Sequence, residues 1–388
     1  MKNEILKYFK QVFGDSKTII QESANVNLIL LGDHTHYNQG ILISYVIDKR
    51  WLFAMRKRAD DQIKISYYNS FSIYDINLCD EDREVKYQIL CGLLRLLKKE
   101  DLIPAGFDCV LFNEAPQCIG LGVASAQQIG FMNALNKTFH LSLSDEYILN
   151  IVRENEISHF GKISNIAHHY AILYGKPNKL FFIDLRTKEF KNITNPFQNY
   201  SLILCDTEES IKNPTKICNE RIEECEVGVK GLRLYVWGIK SLRDVQKDFL
   251  LRHIHMLPKK IFSRVLYNVG ERTRVELALK AIKKKDICTF GRLISESHKD
   301  LYEDYELVCP KCNFIVEIAL KDSYIAGAKM ISCTSIRSSY VIAERSMELL
   351  FSEKIKKAYE KQFGAVLKLH NFPLCSSKDK QVLVSETA

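Results

Sequence analysis

One short loop concentrates side chains that donate and accept hydrogen bonds. The run from Gly32 to Gly40 reads G-D-H-T-H-Y-N-Q-G and contains Asp33, His34 and His36. A hydroxyl-rich ligand such as a sugar needs a placed donor or acceptor for each hydroxyl, and this loop can supply them. An Asx-type turn that joins two strands explains the same residues without a ligand. The loop by itself leaves both interpretations open.

A glycine-containing turn is the second place where chemistry is expected. Residues 116–126 read P-Q-C-I-G-L-G-V-A-S-A and include Gly120, Gly122 and Ser125. A turn of this type at the start of a helix can hold phosphate groups with its backbone N–H groups, because the helix dipole favours anions there. Two glycines and one hydroxyl form a short pattern, so the turn alone does not establish nucleotide binding.

Apolar periodicity indicates the elements that must position these two loops. Strands are predicted around residues 25–31, 51–56, 109–113, 179–185, 200–205, 325–330 and 340–342. Helices are predicted through Leu90, Leu94 and Leu97, up to residue 135, over 143–174 and 213–232, around 275–282, through Leu293 and through Phe351. This mixture predicts an α+β fold in two lobes, residues 1–192 and 193–388.

The composition indicates a soluble globular protein. Hydrophobic residues make up 46% and charged residues 26%, and no apolar run approaches the ~20 residues that a membrane-spanning helix needs. The net charge of +8 is mild, and its densest cluster, Lys283–Lys285, is interpreted as a helix end rather than a nucleic-acid patch. We therefore expect a cytoplasmic protein without a membrane or nucleic-acid partner. Its cysteines, including the C-x-x-C pair Cys309 and Cys312, are predicted to be reduced core thiols.

Further motifs follow the two loops along the chain. They are S-L-R-D-V from Ser241 to Val245, F-G-R-L from Phe290 to Leu293, and E-S-H-K-D-L-Y-E-D-Y-E from Glu296 to Glu306. Together with the loops, these segments resemble the galactokinase family of the GHMP sugar-kinase superfamily. Its signatures G-E-H-T-D-Y-N-x-G, P-x-G-x-G-L-S-S-S-A-A and S-L-R-D-V come in the same order. The resemblance covers roughly residues 5–365.

The resemblance implies both a fold and an activity. The fold is a two-lobed GHMP kinase, with a ribosomal-protein-S5-like N-terminal lobe and a ferredoxin-like C-terminal lobe. The activity is phosphorylation of the anomeric hydroxyl of galactose or a similar sugar, with ATP and magnesium. Phosphoryl transfer requires positioned phosphates, a metal ion, compensating positive charge and an oriented acceptor hydroxyl.

The catalytic positions implied by the resemblance differ from the family pattern. The family's A-P-G-R-V-N-L-I-G falls on residues 24–32, so the neutral Asn27 replaces an arginine. Its G-I-M-D-Q falls on residues 161–165, where Ser164 replaces the aspartate that serves as base. A serine without a neighbouring base cannot accept a proton at neutral pH. His168 and His169, one turn further on, are alternative proton acceptors.

The ligand-binding positions are also altered. In the sugar site, Asp33 replaces a glutamate, His34 and Gly161 match, His36 replaces an aspartate, and Cys218 replaces a tyrosine.

In the glycine turn, Cys118 replaces a glycine and Ser125 is left as the hydroxyl for phosphate and magnesium. The family's third motif, G-A-R-M-T-G-G-G-F-G-G-C-T, begins at Gly327, and every later glycine is missing. We predict that this segment continues as a strand, with Ser332 and Thr334 on one face.

Segments that serve packing match the family, whereas segments that serve chemistry differ. The sequence therefore predicts a galactokinase-like protein that is a catalytically impaired pseudokinase and binds a sugar or an unidentified protein partner. An active ATP-dependent galactokinase, or a related sugar kinase, is the alternative. A scaffold that binds no small molecule is a third interpretation.

Overall fold

Extended apolar residues flank the polar loop on both sides. In the computed structural model, strand β1 (Ile20–Leu31) ends just before Gly32 and strand β2 (Ile41–Lys57) begins just after Gly40. Gly32 has a φ of +89°, and a Cβ on it would lie 2.3 Å from the carbonyl oxygen of Ile41. This turn therefore requires glycine, because a side chain would be both strained and in collision.

The structure describes residues 2–16, 18–70, 72–76, 85–117, 119–161, 165–332 and 335–374. The chain divides into two compact units. The first unit comprises Met1–Asn27, Ile47–Ala115 and Gly122–Tyr174; the second comprises Leu28–Val46, Pro116–Leu121 and Gly175–Ala388. Strands β1 and β2 each contribute residues to both units. The lobe boundary between residues 192 and 193 stays a prediction.

The other elements are numbered in chain order. The helices are α1 (Lys2–Phe13), α2 (Val85–Lys99), α3 (Val123–Phe139), α4 (Asp145–Phe160), α5 (Ile166–Tyr174), α6 (Pro214–Arg233), α7 (Lys247–Arg252), α8 (Lys259–Lys284), α9 (Ile287–Glu303), α10 (Pro310–Ala319) and α11 (Glu348–Phe363). The remaining strands are β3 (Ile63–Tyr67), β4 (Ile73–Ile76), β5 (Phe107–Asn113), β6 (Lys179–Asp184), β7 (Phe190–Thr194), β8 (Tyr200–Ser210), β9 (Ile325–Ile331), β10 (Ile336–Glu344) and β11 (Lys368–Pro373).

The first unit contains a mixed sheet with helices packed on it and on one another. Its strand order is β4-β3-β5-β2, with β3 parallel to β5 and the other pairs antiparallel. Ile5, Tyr8 and Phe9 recur at helical spacing on α1 and pack against Leu52 and Val110 of this sheet. Helix α2 contacts α4, and α3 contacts both α4 and α5. This packing holds the start of α3, where the glycine turn ends.

The second unit contains an antiparallel sheet in the order β11-β8-β10-β9. Helices α10 and α11 pack on it through Ile315, Phe351 and Ile355, which meet Ile203 and Val341 of the sheet in one buried cluster. The beginning of β2 pairs with β6, and β6 pairs with β7. Helix α8 contacts both α6 and α9. The mixed α+β class predicted from the sequence is confirmed.

Most predicted elements are present, and several short ones were missed. Strands β3, β4, β7 and β11 and helices α7 and α10 were not predicted.

Lys283–Lys285 does lie at the end of a helix, α8. The prediction that Ser332 continues a strand is wrong, because β9 ends at Ile331 and the Ser332 hydroxyl donates a hydrogen bond to Asp33 instead. Thr334 lies outside the described residues.

The prediction of reduced thiols is wrong for the C-x-x-C pair. Cys309 caps the N-terminus of α10, and Cys312 lies in its first turn, so their Cα atoms are 5.2 Å apart and the two residues form a disulfide. Cys218 is also disulfide-bonded. Cys109 and Cys205 are buried free thiols, as predicted. Burial raises the pKa of Cys205 to about 12, so this residue behaves as a small apolar side chain.

Two motif glycines allow a helix and a strand to approach each other closely. A Cβ on Gly291 of α9 would lie 1.8 Å from the carbonyl oxygen of Ala326 in β9. A Cβ on Gly327 of β9 would lie 2.3 Å from the carbonyl oxygen of Gly291. In both cases the added Cβ would meet a backbone atom, which cannot rotate away as the end of a flexible side chain can. These glycines of the family motifs therefore serve packing.

We expect Gly291→Ala to lower the free energy of unfolding by about 1–3 kcal/mol or more, because the new methyl group forces α9 and β9 apart. Chemical denaturation measures the change. Arg292→Ala, at the next residue of α9, is the matched control. The Arg292 side chain is exposed and pairs with Glu296 on the helix surface, so we expect its loss to change the free energy by less than about 0.5 kcal/mol. Equal stability of the two variants would contradict the close approach.

No helix among the described residues combines the length and the apolar character that crossing a membrane requires.

Candidate functional site

Helix α8 holds the backbone of the polar loop in the second unit. The Gly32 N–H donates a 2.7 Å hydrogen bond to the carboxylate of Glu271. The Tyr267 hydroxyl donates to the carbonyl of Asp33 at 3.3 Å, and the Asn268 amide donates to the carbonyl of His34 at 2.6 Å. Three residues of one helix therefore fix the beginning of the loop.

Glu271 is a completely buried carboxylate with two cationic neighbours. Arg274 donates to it at 2.7 Å, and the Lys329 ammonium lies 3.9 Å away. Burial alone would raise the pKa of Glu271, but the charges of Lys329 and Arg274 outweigh burial and lower that pKa. A buried carboxylate of this kind is stable only while its partners remain.

Asp33, the predicted sugar-binding acid, already has hydrogen-bond donors within the chain. One carboxylate oxygen accepts the His34 N–H at 3.0 Å, and the other accepts the Ser332 hydroxyl. Burial acts to raise the pKa of Asp33, yet the charges of His34 and Lys329 and the bond from Ser332 lower it to about 2. Asp33 is therefore ionised at neutral pH, and its position is set by its own neighbours.

The two loop histidines lie among aromatic side chains. His34 is buried, its Nδ1 is 3.2 Å from the Tyr37 hydroxyl, and its ring centre lies 4.9 Å from that of Tyr305. His36 begins a short 3-10 turn, and its ring centre lies 4.8 Å from that of Tyr37. The ligand-binding roles of both histidines stay predictions.

Cys218 lines a cavity of the second unit. It is buried on α6, and the cavity, of about 240 Å³, is lined mostly by apolar side chains such as Ile217, Met330 and Ile331. Ser332 also lines it, next to its contact with Asp33. The structure thus brings two altered motif positions, Cys218 and Ser332, to the same cavity.

Gly161 has a structural function in the first unit. It ends α4 with a φ of +63°, and its N–H donates to the carbonyl of Ile157. Its role in sugar binding stays a prediction. Ser164 lies outside the described residues.

Asn27 and His168 are hydrogen-bonded to each other in the first unit. The Asn27 Oδ1 lies 2.9 Å from Nδ1 of His168, and the Asn27 amide nitrogen donates to the His168 carbonyl at 3.3 Å. Asn27 is completely buried, and His168 is partly exposed in the first turn of α5. Of the two histidines left open by the sequence, His168 is the one that contacts the position of the family's arginine.

A sequence signal for His168 was available. The pattern G-I-M-D-Q also fits residues 165–169, which read N-I-A-H-H and keep the isoleucine at the second place. In that register the aspartate falls on His168 rather than on Ser164. The register that gives Ser164 rests on the match of Gly161 and Ile163 to the motif, and Gly161 is also explained by the end of α4.

Ser125 belongs to a buried network of polar side chains in the first unit. Its hydroxyl donates to Oε1 of Glu156 at 2.6 Å, and the Gln128 amide donates to the same oxygen at 3.1 Å. The other carboxylate oxygen of Glu156 lies 3.0 Å from Nε2 of His169, whose side chain is completely buried. The network holds α3, α4 and α5 together.

Gly120 and Gly122 of the glycine turn adopt backbone conformations with positive φ, which glycine allows at little cost. Gly120 has a φ of +85° and Gly122 a φ of +63°, and α3 begins after Gly122 without a side-chain cap. A Cβ on Gly122 would lie 2.8 Å from Nδ1 of His168, so the ring rests on this glycine. Cys118 lies outside the described residues.

Known proteins resemble this chain over nearly its whole length. Residues 88–176 match the family model described as GHMP kinases N terminal domain. A galactokinase of Roseiflexus sp. (strain RS-1) is 24% identical over 379 residues, which are 97% of this chain and 95% of the relative. A galactokinase of Limosilactobacillus reuteri (strain DSM 20016) is 25% identical over 376 residues, 94% of this chain and 95% of the relative. These findings support the resemblance to the galactokinase family of the GHMP superfamily.

Solved structures show the same fold. A Lactococcus lactis galactokinase complexed with galactose superposes with a TM-score of 0.87 at 21% identity, covering 96% of this chain and 97% of the other. A Methanococcus jannaschii mevalonate kinase superposes with a TM-score of 0.63 at 17% identity, covering 93% and 100%. The predicted GHMP kinase fold is confirmed.

ATP and magnesium are the partners that the resemblance to galactokinases implies. The glycine turn fits a phosphate in its backbone, because two left-handed glycines precede an uncapped helix start. Ser125 is buried, and its hydroxyl donates its proton to the buried Glu156, which also accepts a hydrogen bond from Gln128. A hydroxyl that donates its proton keeps its oxygen lone pairs. Burial is therefore what opposes magnesium here, because Mg²⁺ requires octahedral coordination and keeps several waters.

We expect Glu271→Gln to lower the free energy of unfolding by about 3–5 kcal/mol. The change removes the ion-pair partner of the buried Lys329 ammonium and leaves Arg274 paired with Asp300 alone. Urea unfolding measures the change. Glu276→Gln, one turn further along α8, is the control: its carboxylate is half-exposed and pairs with Arg272, so its loss changes the free energy by less than about 1 kcal/mol. Similar effects of the two variants would show that the buried ion pairs do not support the loop.

Ionised Asp33 contributes stability that disappears in acid. Its pKa falls from 3.8 to about 2 on folding, so the contribution is complete above pH 4 and is lost as the pH falls to 2. Between pH 5 and pH 2, we expect the wild type to lose on the order of 2 kcal/mol more stability than Asp33→Asn does. Asp248→Asn, at an exposed site on α7, is expected to follow the wild type. Parallel pH profiles of Asp33→Asn and wild type would contradict the assignment.

Proposed function

We propose that this chain is a galactokinase-like protein that binds a sugar-type ligand but is strongly impaired in phosphoryl transfer. The proposal combines the similarity to galactokinases with the contacts that individual side chains make in the structure. It concerns a sugar and ATP as ligands, and galactose is the first sugar to test because the Lactococcus lactis galactokinase is complexed with it.

The side chain at position 27 carries the proposal. Asn27 is a neutral amide, it is completely buried, and both of its polar ends are bonded to His168. It therefore supplies no positive charge to the negative charge that develops during phosphoryl transfer. Electrostatic groups of this kind contribute about 10²–10³ in rate. This loss impairs catalysis without affecting the fold.

The commitment of Ser125 supports the same conclusion. The hydroxyl expected to reach phosphate and magnesium is instead part of the bonded set with Glu156 and Gln128. A metal ion and its waters would have to enter a buried network that joins three helices. Phosphoryl transfer without a well-placed metal lacks one of its main sources of charge stabilisation.

Contacts within the second unit support the proposal that this chain binds a ligand. The beginning of the polar loop is held by three residues of α8, and Asp33 is ionised and ordered. A preorganised acceptor of this kind can bind a hydroxyl group with little ordering penalty. Binding of a sugar is thus compatible with slow chemistry.

An active sugar kinase is the second candidate function, and the contact between Asn27 and His168 favours it. Imidazole accepts protons near neutral pH, which a serine hydroxyl does not. His168 would then replace the base that the altered motif lacks.

Turnover separates the two candidates. Purified chain is incubated with ATP, Mg²⁺ and each of a panel of hexoses including galactose, and ADP and sugar phosphate are quantified beside the Roseiflexus galactokinase. We expect ADP formation at least ~10²-fold below that of the relative. Turnover within tenfold of the relative with any sugar would reject the impairment and favour the active kinase.

A binding measurement completes the test. Galactose is expected to raise the melting temperature of the wild type but not of Asp33→Asn, while Asp248→Asn responds like the wild type. Absence of a shift with every sugar of the panel would favour the scaffold interpretation.

A further inference from the structure

The turn that follows α6 in the second unit exposes three large apolar side chains. Leu234 is 83% exposed, Tyr235 56% and Trp237 99%. A single exposed apolar side chain is ordinary on a protein surface, whereas several that lie together mark an interaction surface. These three fall within four consecutive residues, so the exposed turn, residues 234–240, presents them together.

Contacts on its inner side keep the exposed turn ordered. Ile239 is buried in the hydrophobic core shared by α6 and α8, and Val236 packs against the same core. The Arg233 guanidinium donates to the carbonyl groups of Ile239 and Lys240 at 2.6 and 3.0 Å. The outward side chains are therefore held in place by the fold but add little to its core.

The chain around the exposed turn is basic and contains no carboxylate. Residues 227–240 include Lys230, Arg233 and Lys240 but neither Asp nor Glu. All three cations are exposed, two of them in the last turn of α6 and the third at the end of the exposed turn. The carbonyl groups that Arg233 contacts do not neutralise its charge. The charge of this surface therefore favours an anionic partner.

A second basic segment lies beside the end of α6. A Cβ on Gly231 would come within 2.6 Å of Cδ2 of Leu257, so α6 contacts the chain that leads into α8. Near Leu257, the side chains of Arg252, Ile254 and Lys259 are exposed. Residues 249–260 also contain neither Asp nor Glu. Basic and apolar character therefore extends beyond the exposed turn.

This combination of side chains suits the surface of an anionic membrane. Trp and Tyr place their rings at the level of the lipid headgroups, where the indole N–H and the phenol hydroxyl stay hydrated. Lysine and arginine attract anionic headgroups. Single-stranded nucleic acid is bound by aromatic rings that stack on bases, and the exposed aliphatic side chain of Leu234 has no such use. Leu234 therefore favours lipid over nucleic acid.

We propose that the exposed turn, together with the basic segment 252–260, is a docking surface for anionic lipid membranes. Leu234, Tyr235 and Trp237 enter the region between headgroups and acyl chains, and the flanking cations contact the headgroups. Such binding is reversible and requires no spanning helix, so it is compatible with a composition that excludes spanning segments. It is also independent of whether the chain has kinase activity.

Helix α11 supplies a matched control surface. Leu349 at its start is 77% exposed, nearly as much as Leu234. Residues 348–361 contain four lysines and three glutamates, so the charge of this helix is close to neutral. Leu349→Ser therefore removes a similar apolar side chain from a surface that lacks the excess of positive charge.

Sedimentation with vesicles tests the proposal. The full chain is mixed with phosphatidylcholine vesicles that contain or lack phosphatidylserine, and the fraction that sediments with lipid is measured. We expect the wild type to bind the anionic vesicles, with an affinity that falls as salt is added. Leu234→Ser and Trp237→Ser are each expected to weaken binding about tenfold or more, while Leu349→Ser binds like the wild type.

Charge variants test the electrostatic part of the binding. Lys230→Gln and Lys240→Gln are each expected to weaken binding to the anionic vesicles about fivefold. Lys356→Gln and Lys357→Gln, at exposed positions of α11, lower the net charge by the same amount and are expected to bind like the wild type. Equal effects at the two surfaces would show attraction by overall charge alone and would overturn the proposal.

Tryptophan fluorescence reports whether the exposed turn enters the lipid. The chain contains two tryptophans, and Trp51 is buried, so a change at the protein surface is reported by Trp237. Anionic vesicles are expected to shift the emission to shorter wavelength, and lipids brominated on their acyl chains are expected to quench it. Trp237→Phe is expected to remove the shift while it retains most of the binding.

Several results would overturn the proposal. They are failure of the wild type to bind anionic vesicles, equal binding to neutral vesicles, and binding that Leu234→Ser and Trp237→Ser leave unchanged. Binding of an acidic peptide, of single-stranded RNA or of a second copy of this chain, dependent on Trp237 and without binding to vesicles, would assign the turn to that partner instead. Circular dichroism and melting temperatures equal to those of the wild type are expected for all variants, because the substituted side chains are exposed.

Discussion

The buried carboxylate of Glu271 is the interaction on which the candidate ligand site of the second unit depends. It joins the first residue of the polar loop, Gly32, to α8 and, through Lys329, to β9. A carboxylate with no exposure must keep its cationic partners and its N–H donor, because an unpaired buried charge is strongly destabilising. Tyr267 and Asn268 on the same helix then hold the next two carbonyl groups of the loop. The position of Asp33 is thus a consequence of one buried charge and one helix.

The residues that resemble the family most are explained by packing. Gly291 and Gly327, which match the family motifs, lie where the backbones of a helix and a strand approach each other closely. Gly161, which also matches, ends α4. Asn27 and Ser125 differ from the family pattern, and both are bonded to side chains or backbone of the first unit. The fold is therefore compatible with different residues at these positions.

How much of the fold could be predicted from the sequence depends on how far apart along the chain the interacting residues lie. The strands beside the polar loop and the helix through Leu90, Leu94 and Leu97 were predicted because apolar periodicity is local, and these leucines are indeed buried. Short elements such as β3, β7 and α10 were missed, since their few residues carry little periodic signal. The disulfide between Cys309 and Cys312 was missed because the start of α10, which brings the two together, was not recognised. The register of the base motif stays a prediction, since Ser164 lies outside the described residues and Gly161 is explained by the end of α4.

By itself, the sequence determined the α+β fold class and the resemblance to galactokinases, because motif order and apolar spacing are properties of the linear chain. Only the tertiary structure decided which altered residues act together. Asn27 and His168 lie 141 residues apart and share two hydrogen bonds, and Ser332 reaches Asp33 across 299 residues. Such contacts arise when strands and helices pack, so the partners of these residues cannot be read from spacing along the chain.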